Sequence, residues 1–328
     1  MLKWLMLVAV VLISSYFIYN YYMTTTTDKK APIAGDYTQA SVLTNHQDEA
    51  LVRDFTYYKP KNLVSDPAIV FVLHGSRGTG DKIRFQSAYQ YDYLSDKTGG
   101  FIVVYPNGYL NHWNDCRASA SYAANTENIN DTAFFAKMIE YFVEKHQVNR
   151  DRVFATGFSN GGQMVYRLAF EVPTSFTAFA AIAANLPVED NLSCEKSQQG
   201  VSMAVFNGTQ DPINPYQGGV INVYGDKSRG SVISSLSTAN YWAKLANLNV
   251  KNETSLVSGN DVTGVFKTTW SNLADKESKT KHVRLYTLQG SGHVMPSKVV
   301  NFARILGANA SSIEGAEEIW SFFKDASK

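Results

Sequence analysis

The chain has 328 residues, of which 45% are hydrophobic and 13% aromatic, and its formal net charge is +1. This composition provides enough apolar residues for one large core or two smaller ones. A net charge so close to zero argues against nucleic acid as the main partner, because binding phosphates requires a basic face.

The N-terminal segment, residues 1–23, is almost wholly apolar apart from Lys3 and carries aromatic residues at both ends. About twenty such residues rise about 30 Å as a helix, which is enough to cross the hydrocarbon core of a bilayer. A cleaved signal peptide is the alternative, although no small-residue cleavage site follows the apolar run. We therefore predict a transmembrane anchor or a signal segment. Either one places the body of the protein outside the cytoplasm, anchored and facing the periplasm or exterior, or secreted.

Residues 24–48 are polar, contain a run of threonines and show no hydrophobic period, so we predict a linker there. From residue 49 onward, apolar runs typical of buried strands alternate with stretches typical of helices. The predicted strands are 54–58, 68–73, 101–105, 153–155, 178–183, 201–206, 265–270 and 283–288, and the predicted helices are 131–146, 163–170, 235–246 and 314–324. This alternation predicts an α/β domain over residues 49–328, with a doubly wound, mostly parallel sheet and helices on both faces.

A Gly-x-Ser-x-Gly motif centred on Ser159 lies between a predicted strand and a predicted helix. This is the pattern of a nucleophile elbow, a turn so sharp that the positions flanking the serine must lack side chains. The turn exposes the serine hydroxyl at the end of the sheet. Ser159 is therefore the candidate nucleophile, and the backbone N–H of Asn160 is a candidate oxyanion-hole donor.

The strand 68–73 runs into a glycine-rich loop that begins at His74 and ends at Lys82. A phosphate-binding loop would place lysine and then serine or threonine directly after the last glycine, where this sequence has Asp81. The loop instead suits an oxyanion hole, with the backbone N–H of Ser76 as the second donor.

A long loop follows the strand 101–105, and such loops inside compact domains are usually functional. It contains Trp113 and Asn114, which together with His74 are candidates for the wall of a substrate pocket. The alternatives are a structural role for His74 and a buried cap for the loop in the case of Trp113.

An acid and a base follow the elbow at the ends of two further predicted strands. Asp211 lies in a turn after strand 201–206, and His293 lies in a glycine-rich loop after strand 283–288. The order serine, acid, histidine is the one expected of an α/β-hydrolase, and it differs from the orders of the two serine-protease classes. Asp226 and Asp261 also precede His293 and are alternatives for the acid.

The two cysteines, Cys116 and Cys194, fall in predicted loops and could form a disulfide in an oxidising compartment. Their sequence positions do not determine whether their Cα atoms come within bonding range. No metal site is predicted, because the six histidines are scattered and no Cys-x-x-Cys is present.

The chain resembles the polyhydroxybutyrate depolymerase and feruloyl esterase group of α/β-hydrolases, including the LpqC-type esterases, over roughly residues 50–325. The segments that carry the resemblance are Leu73–Gly75, Tyr105–Gly108, Trp113–Asp115, Arg152–Gly162, Gly208–Pro212, Tyr216–Gly219 and Gly290–His293. The resemblance implies hydrolysis of carboxylic esters outside the cytoplasm without a cofactor, and it supports Asp211 as the acid. One departure is that Met295-Pro296 stands where the group often has Trp-Pro, which leaves the substrate open.

The sequence thus predicts a serine esterase that acts on a small or oligomeric ester through Ser159, His293 and Asp211 and an acyl-enzyme intermediate. Three alternatives stay open at this stage. An acyltransferase would use the same triad, a non-catalytic binding protein could share the scaffold, and a peptidase could share the fold.

Overall fold

The computed structural model describes residues 23–251, 255–260, 262–271 and 281–328. In this part of the chain no helix is both long enough and apolar enough to cross a membrane. The predicted anchor or signal segment falls on residues 1–22, which lie outside the described residues, and only Met23 of it is described.

A large mixed sheet of eleven strands forms the centre of the described structure. The strands along the chain are β1 (Thr26–Thr27), β2 (Asp36–His46), β3 (Glu49–Lys59), β4 (Ala68–Leu73), β5 (Phe101–Pro106), β6 (Val153–Phe158), β7 (Ala178–Ile182), β8 (Ser202–Gly208), β9 (Gly219–Val220), β10 (Ser231–Val232), β11 (Val250–Lys251), β12 (Ser255–Ser258), β13 (Val265–Ser271), β14 (Val283–Leu288) and β15 (Val300–Asn301). The order in the sheet is β2-β3-β5-β4-β6-β7-β8-β14-β13-β11, with β12 also paired to β13. The six strands from β5 to β14 in this order are parallel to their neighbours. The strands at both edges are antiparallel.

Helices cover both faces of this sheet. They are α1 (Gly80–Gln86), α2 (Gln90–Thr98), α3 (Ala123–Thr126), α4 (Asp131–His146), α5 (Asn160–Glu171), α6 (Ser235–Leu245) and α7 (Gly315–Asp325). Alternate residues of β4 enter two separate cores: Phe71 packs with residues of α4, α5 and α6, whereas Val70 packs with residues of α1, α2 and α7. The predicted fold class, a doubly wound and mostly parallel sheet, is confirmed.

The prediction of a linker over residues 24–48 is wrong for its second half. Asp36–His46 is a strand that pairs with β3 along eleven consecutive residues at the edge of the sheet. Only alternate side chains of this edge strand, such as Thr38, Ala40 and Val42, are partly covered, and their neighbours face solvent. An edge strand with one solvated face needs few apolar residues, so its polar composition resembles that of a linker.

Candidate active site

The turn at Ser159 has the geometry that the glycine spacing predicts. Ser159 has φ 56° and ψ −116°, a conformation that costs backbone strain, and it directly precedes helix α5. A Cβ on Gly161 would lie 2.5 Å from the carbonyl oxygen of Leu73 and 2.6 Å from that of His74. A Cβ on Gly157 would overlap the backbone of Gly161. The two glycines therefore let the end of β4, the end of β6 and the start of α5 approach closely enough to form the turn.

The acid and base predicted from sequence are in contact. The Asp211 carboxylate Oδ2 lies 2.7 Å from Nδ1 of His293, and both side chains are buried. The other carboxylate oxygen of Asp211 accepts hydrogen bonds of 2.8 Å from the backbone N–H groups of Ile213 and Asn214. A carboxylate beside Nδ1 favours the tautomer with the proton on Nδ1, so that Nε2 carries the lone pair of a general base.

Ser159 and His293 both line one cavity of about 460 Å³. The loop after β4 forms another part of its wall, and the position of a Cβ on Gly75 is 3.3 Å from the Cβ of Ser159. Ser76, the predicted oxyanion donor, follows directly and also lines the cavity. Asn160, which carries the other predicted donor, is the first residue of α5. The structure therefore brings all the predicted triad and oxyanion-hole residues to one place.

The side chain of Asn160 connects the elbow to the loop that follows β5. Its Oδ1 accepts from the backbone N–H of Trp113 at 2.9 Å, and its Nδ2 donates to the Asp115 carboxylate at 2.6 Å. Asp115 is fully buried, pairs with Arg117 at 2.5 Å and accepts from the hydroxyl of Tyr122 at 2.6 Å. This network fixes the residue whose backbone N–H is the predicted oxyanion donor.

The three pocket candidates do not line the cavity, so that prediction is wrong. Trp113 is fully buried, and its indole N–H donates to the carbonyl oxygen of His74 at 2.9 Å. Asn114 is also buried and bonds to the backbone carbonyl of Ile129 at 2.9 Å. In sequence, polar and aromatic residues of a long loop resemble ligand contacts, whereas in the structure they satisfy buried backbone carbonyl groups, one of them in the loop after β4.

His74 has the structural role that was its alternative. Its Nε2 accepts from the backbone N–H of Gly108 at 2.9 Å, and its Nδ1 lies 2.8 Å from the carbonyl oxygen of Gly75. Burial lowers the pKa of His74 to about 4, so the ring is neutral at pH 7. The imidazole therefore ties the oxyanion loop to the loop that follows β5.

The two cysteines are joined in a disulfide, with their Cα atoms 4.9 Å apart. Of the alternatives for the acid, Asp226 forms an ion pair with Arg229, and Asp261 lies outside the described residues. Among the described residues, no group of three or more histidine, cysteine, aspartate or glutamate side chains is placed to hold a metal ion.

Sequence reasoning missed a set of cationic side chains on the cavity wall: Arg77, Lys82, Arg117 and Arg229. They come from three separate parts of the chain: Arg77 and Lys82 lie in the glycine-rich segment after β4, whereas Arg117 and Arg229 lie in two other loops. Arg117 lies two residues after Trp113–Asp115, one of the segments that carry the family resemblance. This position in the sequence is the one signal that points to Arg117 as a site residue.

Comparisons with known proteins identify the family to which the chain belongs. Residues 89–328 match the prolyl oligopeptidase family. The chain is 26% identical to acetylxylan esterase A of Emericella nidulans over 270 residues, which cover 74% of this chain and 83% of the relative. It is 30% identical to feruloyl esterase B of Neurospora crassa over 163 residues, 45% of this chain, and so spans about half (53%) of that relative. Its structure resembles an acetyl xylan esterase from Aspergillus awamori with a TM-score of 0.58 and 17% identity, covering 89% of this chain and 100% of the other. The chain therefore belongs to the prolyl oligopeptidase family and has the α/β-hydrolase fold.

Proposed function

We propose that the protein is a serine hydrolase of carboxylic esters. The observation that carries the proposal is the 2.7 Å contact between Asp211 and His293, because His293 lines the same cavity as Ser159. Serine is a weak nucleophile on its own, so the reaction needs a base with the correct tautomer, and Asp211 favours that tautomer.

In the proposed mechanism, Oγ of Ser159 attacks the ester carbonyl carbon while Nε2 of His293 takes the hydroxyl proton. The backbone N–H groups of Asn160 and Ser76 donate hydrogen bonds to the resulting oxyanion. The alcohol leaves with the proton from His293, and the acyl group stays on Ser159. A water molecule, deprotonated by His293, then attacks the carbonyl carbon of the acyl-enzyme. The bond to Oγ of Ser159 breaks, His293 returns the proton to Oγ, and the acid is released.

Two relatives carry the names acetylxylan esterase and feruloyl esterase. These names support two kinds of substrate, acetyl esters of a polysaccharide and esters of a small aromatic acid. We propose an ester of modest size, because the cavity of about 460 Å³ lies at the lower end of ligand pockets. The depolymerase activity in the resemblance stays a prediction. The disulfide between Cys116 and Cys194 supports an oxidising compartment outside the cytoplasm, as does the apolar segment 1–23.

The test is hydrolysis of 4-nitrophenyl acetate and butyrate by the purified full-length chain. Ser159→Ala should reduce kcat/KM by about 10⁴-fold or more, because it removes the nucleophile. Ser255→Ala, which alters an exposed serine on β12, is the matched control and should leave the rate unchanged. Activity that survives in the Ser159 variant would refute the proposal.

A peptidase is the second candidate, because the family takes its description from prolyl oligopeptidases. The same preparation assayed on proline-containing peptides separates the two activities.

Acyl transfer to added alcohols, measured alongside hydrolysis, separates the esterase from an acyltransferase. A chain that fails to react with a fluorophosphonate would instead be a binding protein on this scaffold.

A further inference from the structure

The cavity beside Ser159 has a positively charged wall although the whole chain has a formal charge of only +1. Four cationic side chains line it, namely Arg77, Lys82, Arg117 and Arg229. Asp226 is the one carboxylate among the lining residues of the described structure, and it is paired with Arg229. The wall therefore carries more positive than negative groups on the side that a substrate would contact.

Arg117 is held in place from the side away from the cavity. Its side chain is only 4% exposed, its Nε lies 3.1 Å from both carboxylate oxygens of Asp115, and its Nη2 contacts Asp115 and Tyr122. Burial alone would lower the pKa of Arg117, but the adjacent Asp115 carboxylate raises it above its ordinary value. The guanidinium is thus a fixed cation in a cavity wall, with two of its three nitrogens bound elsewhere.

Arg229 is a second fixed cation and lines the same cavity as Arg117. Its side chain is 8% exposed, and its Nη1 contacts Asp226 at 2.5 Å. Its Nε is buried and has no hydrogen-bond partner among the described residues. Asn191 joins the two segments, because its Nδ2 donates to the carbonyl oxygen of Arg229 and its own carbonyl accepts from the N–H of Ala118.

Arg77 and Lys82 are exposed cations on the same wall, and neither forms an ion pair with another described residue. Half-buried His112 is near this wall and responds to its charge. The pKa of His112 is lowered first by burial and then by the charges of Arg229 and Arg77. Two exposed cations, on the oxyanion loop and helix α1, and two buried ones, in the loop after β5 and the loop before β10, therefore line one cavity.

We propose that this wall is a subsite for a carboxylate, so that the preferred substrates are esters that carry a free carboxylate near the scissile bond. The inference rests on the proposed esterase function and specifies its substrate class. Guanidinium groups bind carboxylates through paired hydrogen bonds, and Arg77 and Lys82 provide the charges without a carboxylate partner of their own. The carboxylate could belong to the acyl group or to the alcohol, as in a sugar acid, and the same charges would bind either.

Two matched substrate pairs test the proposal with the full-length protein. In the first pair, 4-nitrophenyl hydrogen adipate carries the carboxylate on the acyl side, and methyl 4-nitrophenyl adipate is its neutral partner. In the second pair, O-acetylated galacturonic acid carries it on the alcohol side, and the methyl ester is the neutral partner, with acetate release as the readout. The measured quantity is the ratio of kcat/KM for the charged substrate to that for the neutral one.

We expect this ratio to exceed about ten in at least one pair, which corresponds to about 1.4 kcal/mol, and to fall as salt is added. The double variant Arg77→Gln, Lys82→Gln should lower the ratio at least about fivefold. The control is Lys137→Gln, Arg150→Gln, which removes the same charge from exposed positions outside the cavity and should leave the ratio unchanged.

A ratio of one or less in both pairs, or a ratio that the Arg77 and Lys82 variant does not change, would overturn the proposal. These outcomes differ from failure of the esterase function itself. If the esterase function itself were wrong, the neutral esters would not be cleaved, or the Ser159→Ala variant would cleave them as well as the wild type does.

Discussion

The elbow at Ser159 and the loop that follows β5 lie side by side, yet they are held by different means. Within the elbow, Gly157 and Gly161 permit backbone contacts with strand ends that the fold already places there. The loop depends on side chains far apart in sequence: Asp115 bonds to Asn160, 45 residues away, and Cys116 to Cys194, 78 residues away. The elbow can thus be found from six consecutive residues, whereas the loop requires the whole fold to be known.

The largest expected effect comes from breaking the elbow. Gly161→Ala would place a methyl group against the carbonyl oxygens of Leu73 and His74, both backbone atoms that cannot move aside without shifting the oxyanion loop. We expect kcat/KM for 4-nitrophenyl acetate to fall roughly 10³-fold, because the nucleophile and an oxyanion donor are both displaced.

The matched control for the elbow is Gly100→Ala, whose added Cβ would meet no atom closer than 3.6 Å. Nearly wild-type activity in both variants would show that the close approach at Gly161 is not needed for the site.

A second prediction concerns the loop. Asp115→Asn removes the charge that balances Arg117 and weakens the anchor of Asn160. We expect kcat to fall between about 10- and 100-fold with little change in KM, because the residue acts by positioning an oxyanion donor. Asp66→Asn, on an exposed carboxylate that bonds to Asn149 and Arg152, is the control. A 10- to 100-fold rise in KM with an unchanged kcat would contradict a positioning role.

The disulfide is expected to affect stability more than activity. Replacing both Cys116 and Cys194 by serine should lower the free energy of unfolding by about 2 to 5 kcal/mol, since the bond closes a loop of 78 residues. Urea unfolding with and without a reducing agent measures this difference. A wild-type protein whose stability does not respond to reduction would contradict the expectation.

The smallest expected effect is the pH dependence that His74 contributes. Its pKa is about 4 in the folded state and near 6.5 when unfolded, so the unfolded state takes up the proton first as pH falls. The contribution of His74 to the free energy of unfolding is therefore present above pH 6.5 and is lost as pH falls towards 4. The loss between pH 7 and pH 5 is roughly 2 kcal/mol.

Burial raises the pKa of Asp92 to about 6 and that of Glu314 to about 7. These two groups therefore increase the free energy of unfolding as pH falls from 7 to 5, opposite to the effect of His74. The measurement is therefore the difference between wild type and His74→Asn in urea unfolding at both pH values. A difference that does not change with pH would contradict the neutral, buried ring.

Local chemistry explains which parts of the molecule the sequence predicts well. The strand over 68–73, the helix over 131–146 and the strand over 283–288 have the predicted bounds, because apolar runs and helical periodicity reflect burial directly. Ser159, Asp211 and His293 are predicted from strand ends and their order along the chain. Such features need no knowledge of distant contacts.

The remaining features depend on contacts that no local pattern encodes. The strand Asp36–His46 has a polar sequence because one of its faces is solvated. Trp113 and Asn114 resemble ligand contacts in sequence, yet they satisfy buried backbone groups. Arg117 and Arg229 are far apart in sequence and come to the same cavity wall only in the folded chain, and so the charge of that wall could not be predicted.

The most direct test of the catalytic assignment is covalent labelling with a fluorophosphonate, followed by mass spectrometry of the peptides. We expect a single adduct on the peptide that contains Ser159, and a much slower labelling rate in His293→Ala and Asp211→Asn, because both variants lose activation of the serine. An adduct on a different residue, or an active enzyme that leaves Ser159 unlabelled, would contradict it.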